Sequence, residues 1–283
     1  MDQVKIDSLL PSEMASQAES IGVVKAKMPL AKTLVLAVLA GAFIAFGSVF
    51  FTTVTAASTM SYGVTRLLGG LCFSLGLILV IIGGAELFTG NNLIIMAWAN
   101  KKVSTMQLLR NWCLVYLGNF VGAFFIVVLM LFAKQYQAAS GMVGINMLNI
   151  AKTKCELDFM QAVALGVLCN ILVCLAVWLC FSSKSIAGKI IAILFPISAF
   201  VACGFEHSIA NMYFVPNAIF TLNQHDDKQL ALIAQSGTDY SSITWTNFFM
   251  NNLLPVTIGN IFGGAVLVGL VYWFVYLRNN KSQ

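Results

Sequence analysis

The sequence predicts an all-α integral membrane protein: six transmembrane helices in two inverted three-helix repeats, with the second and fifth helices broken. Three observations predict it. The 283 residues are 59% hydrophobic and only 10% charged, with a mean hydropathy of +0.86, against about 25% charged residues in a soluble domain. Four stretches long enough to cross a bilayer hold no charge. Two further apolar stretches each place glycines and ionisable residues at mid-depth, in matching order.

The same composition removes several classes. A soluble globular enzyme is excluded, and so is a disordered chain, which needs low hydrophobicity and high charge. With 5 Pro and 22 Gly the chain is not fibrous or linker-rich. The net charge of +5 comes from basic residues scattered singly, with no stripe to track phosphates, so no nucleic-acid partner is expected. The two histidines, His207 and His225, are too few for bis-His haem subunits. Of the seven cysteines, six sit in apolar runs and none forms a CxxC pair. An odd count in a long chain argues against a disulfide framework, and the cysteines read as small packing residues. No zinc or iron–sulfur spacing occurs. No cofactor or metal is implied, and the chain does not read as an enzyme.

Residues 1–29 mix Asp2, Asp7, Glu13 and Glu19 with Lys5, Lys25 and Lys27, and the apolar run that follows is too long for a cleavable signal. From Pro11 to Lys27, the spacing of Met14, Ala18, Ile21 and Val24 behind the candidate cap Ser12 predicts a short amphipathic helix. It would lie at the membrane surface or against the bundle. Crossing the hydrocarbon core takes about 20 apolar residues. Residues 33–65, 111–133, 159–183 and 240–277 are uncharged spans, and 67–99 and 190–216 are spans with one ionisable patch each. Six spans put both termini on one side. Eleven basic residues fall on that side and five opposite, so both termini are expected in the cytoplasm. The boundaries follow: an N-terminal helix in 1–29, one transmembrane channel domain over 30–279 with repeats 30–140 and 158–279, and a tail at 280–283.

As one helix, 67–99 would run about 50 Å across a core of about 30 Å. Its centre, Gly83-Gly84-Ala85-Glu86-Leu87-Phe88-Thr89-Gly90-Asn91, is a poor continuous helix, and Thr89 can cap a new half-helix. The centre of 190–216, Cys203-Gly204-Phe205-Glu206-His207-Ser208-Ile209-Ala210-Asn211, matches it at an offset of 120. Gly84 meets Gly204, Glu86 meets Glu206, Asn91 meets Asn211, and Ser208 stands as the second cap. The following spans match at an offset of 141, where Asn111, Gly118, Asn119, Gly122 and Ala123 meet Asn252, Gly259, Asn260, Gly263 and Gly264. The opening spans match weakly at 125, Ala37-Val38 and Gly41 against Ala162-Val163 and Gly166. Inverted repeats with interrupted helices point to a transport site at the repeat interface. Two half-helix N-termini there would favour an anion.

His207 is the sharpest candidate, an ionisable group at a break inside a span, able to donate to an anion or exchange a proton with it. The bland alternative is a neutral histidine bonded to backbone. His225, beside Asp226 and Asp227, reads as solvated. Glu86 and Glu206 read as structural, accepting from the N–H groups of their own breaks rather than carrying protons. Thr89 is either a cap or a hydroxyl donor. Asn170 and Asn260 are either pore-lining amides or interhelical glue, as is Asn119. The GxxxG pairs at Gly118 and Gly259 read as close packing. Phe73, Leu77, Leu87, Val173 and Phe200 could form a dewetting constriction or simply pack. Lys154 could attract anions at long range or be a plain solvated charge.

The run from Ile81 to Gly90 and the run from Gly166 to Ala176 resemble the two signatures of the formate/nitrite transporter family. Phe200 to Asn211 and Leu254 to Asn260 are similar to that family as well, and the resemblance covers nearly the whole chain. It implies an aquaporin-like six-helix bundle in the bacterial cytoplasmic membrane. It also implies a homopentamer with one pore per protomer, gated by the loop that interrupts the second helix. His207 and Thr89 would be the central polar pair, with Asn170 and Asn260 in the vestibule. Phe73, Leu77, Leu87, Val173 and Phe200 would form the constrictions, and Lys154 would stand at the periplasmic entrance. The expected function is a bidirectional, pH-dependent formate channel. Nitrite or hydrosulfide conduction, and a neutral-solute or water channel, are the alternatives; acetate is another candidate anion. The N-terminal helix could bind a formate-producing cytoplasmic enzyme.

Overall fold

A computed structural model describes residues 8–224 and 226–278. His225, Lys5, Lys281 and the tail read at 280–283 lie outside the described residues. Among those described there is no strand.

The first helix, α1 (Pro11–Ala26), starts with proline at N1, where the missing N–H is no loss. Its cap position is Leu10, whose N–H donates to Glu13 Oε2 at 2.7 Å; Ser12, the expected cap, lies inside the helix. α1 packs against the bundle, with Met14, Ala15, Ala18 and Ala26 in one apolar cluster with residues 93–97 and Trp178.

α2 (Leu30–Thr55) and α3 (Tyr62–Gly83) follow. α3 stops at Gly84, which has φ +80°, a left-handed conformation that glycine adopts without a Cβ clash. The chain restarts as the single turn α4 (Phe88–Asn91), a 3-10 turn over Asn92–Ile94, and α5 (Ile95–Ala99). α6 (Thr105–Phe132) opens with a reciprocal Ser104–Gln107 capping box. Beyond two 3-10 turns comes α7 (Met142–Cys155), an element the sequence reading did not anticipate. α8 (Phe159–Ser182) is capped by Asp158. α9 (Ile186–Ala202) ends before Gly204, at φ +73°, and α10 (Ser208–Leu222) restarts it. α11 (Asp227–Ser236) lies outside the spans. The Gln229 backbone N–H, with the Gln137 amide, holds the capping Asp226 carboxyl below the usual carboxylate range.

The last span, 245–276, combines α12 (Trp245–Asn247), a π turn at Phe248–Leu253, α13 (Leu254–Ile261), a π stretch at Phe262–Leu270, and α14 (Val271–Tyr276). Pro255 has no N–H for the preceding turn, and the first π segment sits just there. Among the described residues, five helices are long and apolar enough to cross a membrane: α2, α3, α6, α8 and the composite 245–276, while α9 is a shorter apolar helix.

Small residues bring α6 onto α2 and α13 onto α8. A Cβ at Gly122 would stand 1.9 Å from Val38 O, and one at Gly259 would stand 2.2 Å from Val163 O. Such contact replaces the absent hydrophobic drive between helices in lipid. Contacts to the breaks also correct one alignment. Leu36 O accepts from Glu86 N, and Leu165 O from Glu206 N. Ala37 O and Gly166 O accept from Asn119 and Asn260. These pairs are 129 apart, one helical turn beyond the expected 125, because backbone contact rather than residue identity sets the register. Lys25 in α1 and Lys154 in α7 share that spacing, so α1 and α7 occupy matching places before the breaks.

Candidate functional site

A broken helix strands backbone N–H and C=O groups that must be satisfied internally within a bilayer. At the first break, Asn119 Oδ1 accepts from Phe88 N at 2.9 Å. Its Nδ2 donates to Glu86 O at 2.9 Å and Ala37 O at 2.7 Å. At the second break, Asn260 Oδ1 accepts from Ser208 N at 2.9 Å, and its Nδ2 donates to Glu206 O at 3.0 Å and Gly166 O at 2.8 Å. Neither Thr89 nor Ser208 is therefore the cap the sequence suggested. Asparagines from distant helices take the stranded groups, and Ser208 Oγ has no partner.

The carboxylates also differ from expectation. They accept from side chains, not from the N–H groups of their own breaks. Glu86 accepts from Lys25 Nζ at 2.9 Å and Asn91 Nδ2 at 2.7 Å, and Lys25 also reaches Asn91 Oδ1 at 2.9 Å. Asn91 Nδ2 donates to Asn111 Oδ1, and Asn111 Nδ2 to Lys25 O. Glu206 accepts from Lys154 Nζ at 2.8 Å, Asn211 Nδ2 at 2.7 Å and Asn252 Nδ2 at 3.1 Å. Asn211 Nδ2 donates to Asn252 Oδ1, and Asn252 Nδ2 to Lys154 O. Lys154 is thus neither solvated nor a bare distant charge. Its side chain is 12% exposed and ion-paired, and its ammonium stands 5.3 Å from the Phe214 ring centroid.

Between the two networks, Thr89 Oγ1 lies 2.9 Å from His207 Nε2, both side chains being buried. His207 is the N-cap of α10, and its Nδ1 accepts from Ala210 N at 3.1 Å. Those bonds assign the tautomer. With Nδ1 accepting, a neutral ring carries its proton on Nε2 and donates to Thr89, whose own hydroxyl hydrogen is left for another acceptor. Phe200 stacks on the imidazole with centroids 5.9 Å apart, and Phe73 meets Phe200 edge-on at 5.6 Å.

Two cavities flank this pair and share no lining residue. One, of about 580 Å³, lies beside α1 and is lined by Leu77 and Leu87. Lys25, Lys184, Lys189 and Glu86 also line it. The other, of about 270 Å³, lies beside α7 and is lined by Phe73, Phe200 and His207, with Arg66, Lys154 and Glu206 on its wall. In each, cations outnumber carboxylates, a field that draws anions. Thr89 and Val173 line neither cavity and are buried between helices. Asn170 and Asn260, expected in a vestibule, also line neither, because their amides are spent inside the bundle.

Sequence reasoning gave Lys25, Arg66, Asn111 and Asn252 no role at the site. Arg66 donates to the last carbonyls of α9, Val201 O and Ala202 O, where a cation complements the helix dipole. The shared 129 spacing of Lys25 and Lys154, read beside the 141 spacing of Asn111 and Asn252, was the available signal.

Comparison with known proteins fits this geometry. A family model described as Formate/nitrite transporter matches residues 12–274. The chain is 46% identical over 278 residues to formate channel FocA of Escherichia coli, covering 98% of both. It is 40% identical to formate channel FocA of Haemophilus influenzae, covering 93% of both. Among solved structures it is similar to a pentameric formate channel with formate bound, at TM-score 0.82 and 46% identity, over 88% of this chain and 98% of that one. It is also similar to an FNT family ion channel, at TM-score 0.76 and 29% identity, over 94% and 98%.

Proposed function

Because the chain belongs to the formate/nitrite transporter family, we propose that it is a multi-pass membrane channel that carries formate, with His207 handling the accompanying proton. The observation that carries this reading is the buried Thr89–His207 pair, with a cation-rich cavity on either side. The bundle comprises six spans in two inverted, aquaporin-like halves, with both termini cytoplasmic in a bacterial inner membrane. Five copies assemble, as in the similar formate-bound channel, with one pore through each. The exposed edge of α1, with Ser12, Glu13, Ser16, Gln17 and Ser20, is the face open to a formate-producing cytoplasmic enzyme.

A bare anion pays heavily to cross an apolar constriction. The lysines and Arg66 concentrate formate in either cavity. A hydronium ion in the α7-side cavity gives its proton to His207 Nδ1 and leaves as water, which breaks the bond from Ala210. The imidazolium then passes one proton to a formate oxygen and is neutral again. Thr89 O–H steadies the second oxygen, and neutral formic acid passes between Phe73 and Phe200 on one side and Leu77 and Leu87 on the other. Direction follows the gradients of formate and protons.

The test is flux into proteoliposomes with formate, acetate, nitrite, hydrosulfide and glycerol at two pH values. Formate flux that rises as the pH falls, with glycerol excluded, is expected. Equal glycerol and formate flux would overturn the reading, and a preference for nitrite or hydrosulfide would reassign the cargo within the family.

A further inference from the structure

Asn170, on α8 and fully buried, links the restart after the first break to the asparagine that caps the second. Its Nδ2 donates its two hydrogens to Asn260 O at 2.6 Å and Asn92 Oδ1 at 2.7 Å, and Thr89 O at 3.3 Å shares one of them. One turn on, Cys174 Sγ donates to the same Thr89 carbonyl at 3.4 Å. Asn260 in turn caps the break that carries His207. At the 129 spacing, the matching place in the first half is Gly41, where a Cβ would stand 2.0 Å from Asn119 O. One half therefore closes by direct backbone contact, and the other through an amide. Space for that amide is built in. A Cβ at Gly264 would stand 2.3 Å from Asn170 Nδ2 and 2.8 Å from Cys174 Sγ, and the residue matched to Gly264 in the first half is Ala123. The carbonyl it reaches, Asn260 O, lies beside the change from α to π helix. An extra residue in a turn there leaves a carbonyl short of its axial donor.

We propose that Asn170 is a positioning residue that ties Thr89 to the helix holding the second break, keeping the Thr89 hydroxyl in reach of His207. The inference rests on the reading of that pair as the proton-handling site. The amide acts through Thr89 and does not meet the anion.

The test uses the full chain in lipid, labelled with 15N-histidine. With two histidines in the sequence, the imidazole spectrum is readily assigned. Asn170→Leu is expected to move the His207 signals in the direction that Thr89→Val moves them, and to lower formate flux by on the order of 10²-fold. The double variant Thr89→Val/Asn170→Leu should be no slower than Thr89→Val alone, since both remove one arrangement. Gly264→Ala, which crowds the amide without removing it, should reproduce the His207 shift and serves if Asn170→Leu fails to assemble. Unmoved His207 signals in the assembled variants, or additive flux losses in the double variant, would overturn the proposal. If wild-type vesicles pass no formate while the His207 signals still move, the transport reading falls and the positioning role stands.

Discussion

The first break, from Gly84 to Leu87, and the second, from Gly204 to His207, use the same scaffold and carry different chemistry. Both turn on a left-handed glycine. Both seat a carboxylate on a lysine and two asparagines, directly at Glu206 and through Asn91 at Glu86, and both give the restarting N–H to a distant asparagine. The restarts differ. After Leu87 comes one α turn and a 3-10 turn, whereas after His207 the α-helix continues for 15 residues, through Pro216. Leu87 makes no capping bond through its side chain, while His207 makes one through Nδ1. The scaffold is duplicated, but the imidazole stands on one side only, rooted in the longer helix.

The largest effect expected to break this comparison comes from the carboxylates. Glu206→Gln and Glu86→Gln each leave a partly buried lysine and its amides short of a partner, a loss of at most roughly 3–5 kcal/mol, the cost of breaking a fully buried pair. Lys154 is 12% exposed and Lys25 is 26% exposed, so thermal unfolding in detergent should show the greater drop for Glu206→Gln. Equal drops would mean that the two networks are energetically alike.

Next comes His207→Asn. Losing a positioned proton donor costs on the order of 10²-fold, so formate flux should fall about that much at neutral pH, and its rise with acidification should disappear. Leu87→Asn, at the matching place, should leave the pH slope intact. An unchanged slope in His207→Asn would remove the proton role from the second break.

Asn119→Leu and Asn260→Leu each strand a buried N–H and two carbonyls, at about 1–3 kcal/mol per unsatisfied group. Melting temperatures should fall alike. Formate flux should fall further for Asn260→Leu, because that asparagine supports the break that carries His207. The smallest effect is Gly84→Ala against Gly204→Ala, about 1–2 kcal/mol each for a left-handed residue gaining a Cβ. At Gly84 nothing lies within 4 Å of that Cβ, and at Gly204 only Arg66 Nη2 comes near, at 3.7 Å. Matching losses in unfolding assays are therefore expected, and unequal ones would show that one break is sterically tighter.

The breaks were legible because glycine, glutamate and asparagine clustered inside an apolar run are costly in a continuous membrane helix and suit an interrupted one. The fate of their stranded groups was not. Local capping rules nominate Thr89 and Ser208, but the donors and acceptors that win come from 31 and 52 residues away, a competition visible only after the helices pack. The same blindness hid α7. Its lysines and asparagines read as loop, yet Val143, Met147, Leu148 and Ala151 are buried, and its Lys154 completes the second network. Residue identities placed the opening spans one turn out of register, because small residues recur along these helices, whereas the carbonyls of Leu36 and Leu165 mark the true match. Of the residues suspected to form a constriction, Leu77 and Leu87 line one cavity and Phe73 and Phe200 the other. Val173 is simply buried, a distinction no hydropathy value encodes.

In both halves the lysine precedes the glutamate it will meet, by 61 residues for Lys25 and Glu86 and by 52 for Lys154 and Glu206. During synthesis the ribosome therefore emits each counter-ion well ahead of the acid that must be hauled into the membrane. When the acidic segment is made, the nascent chain already holds the lysine that will pair with it.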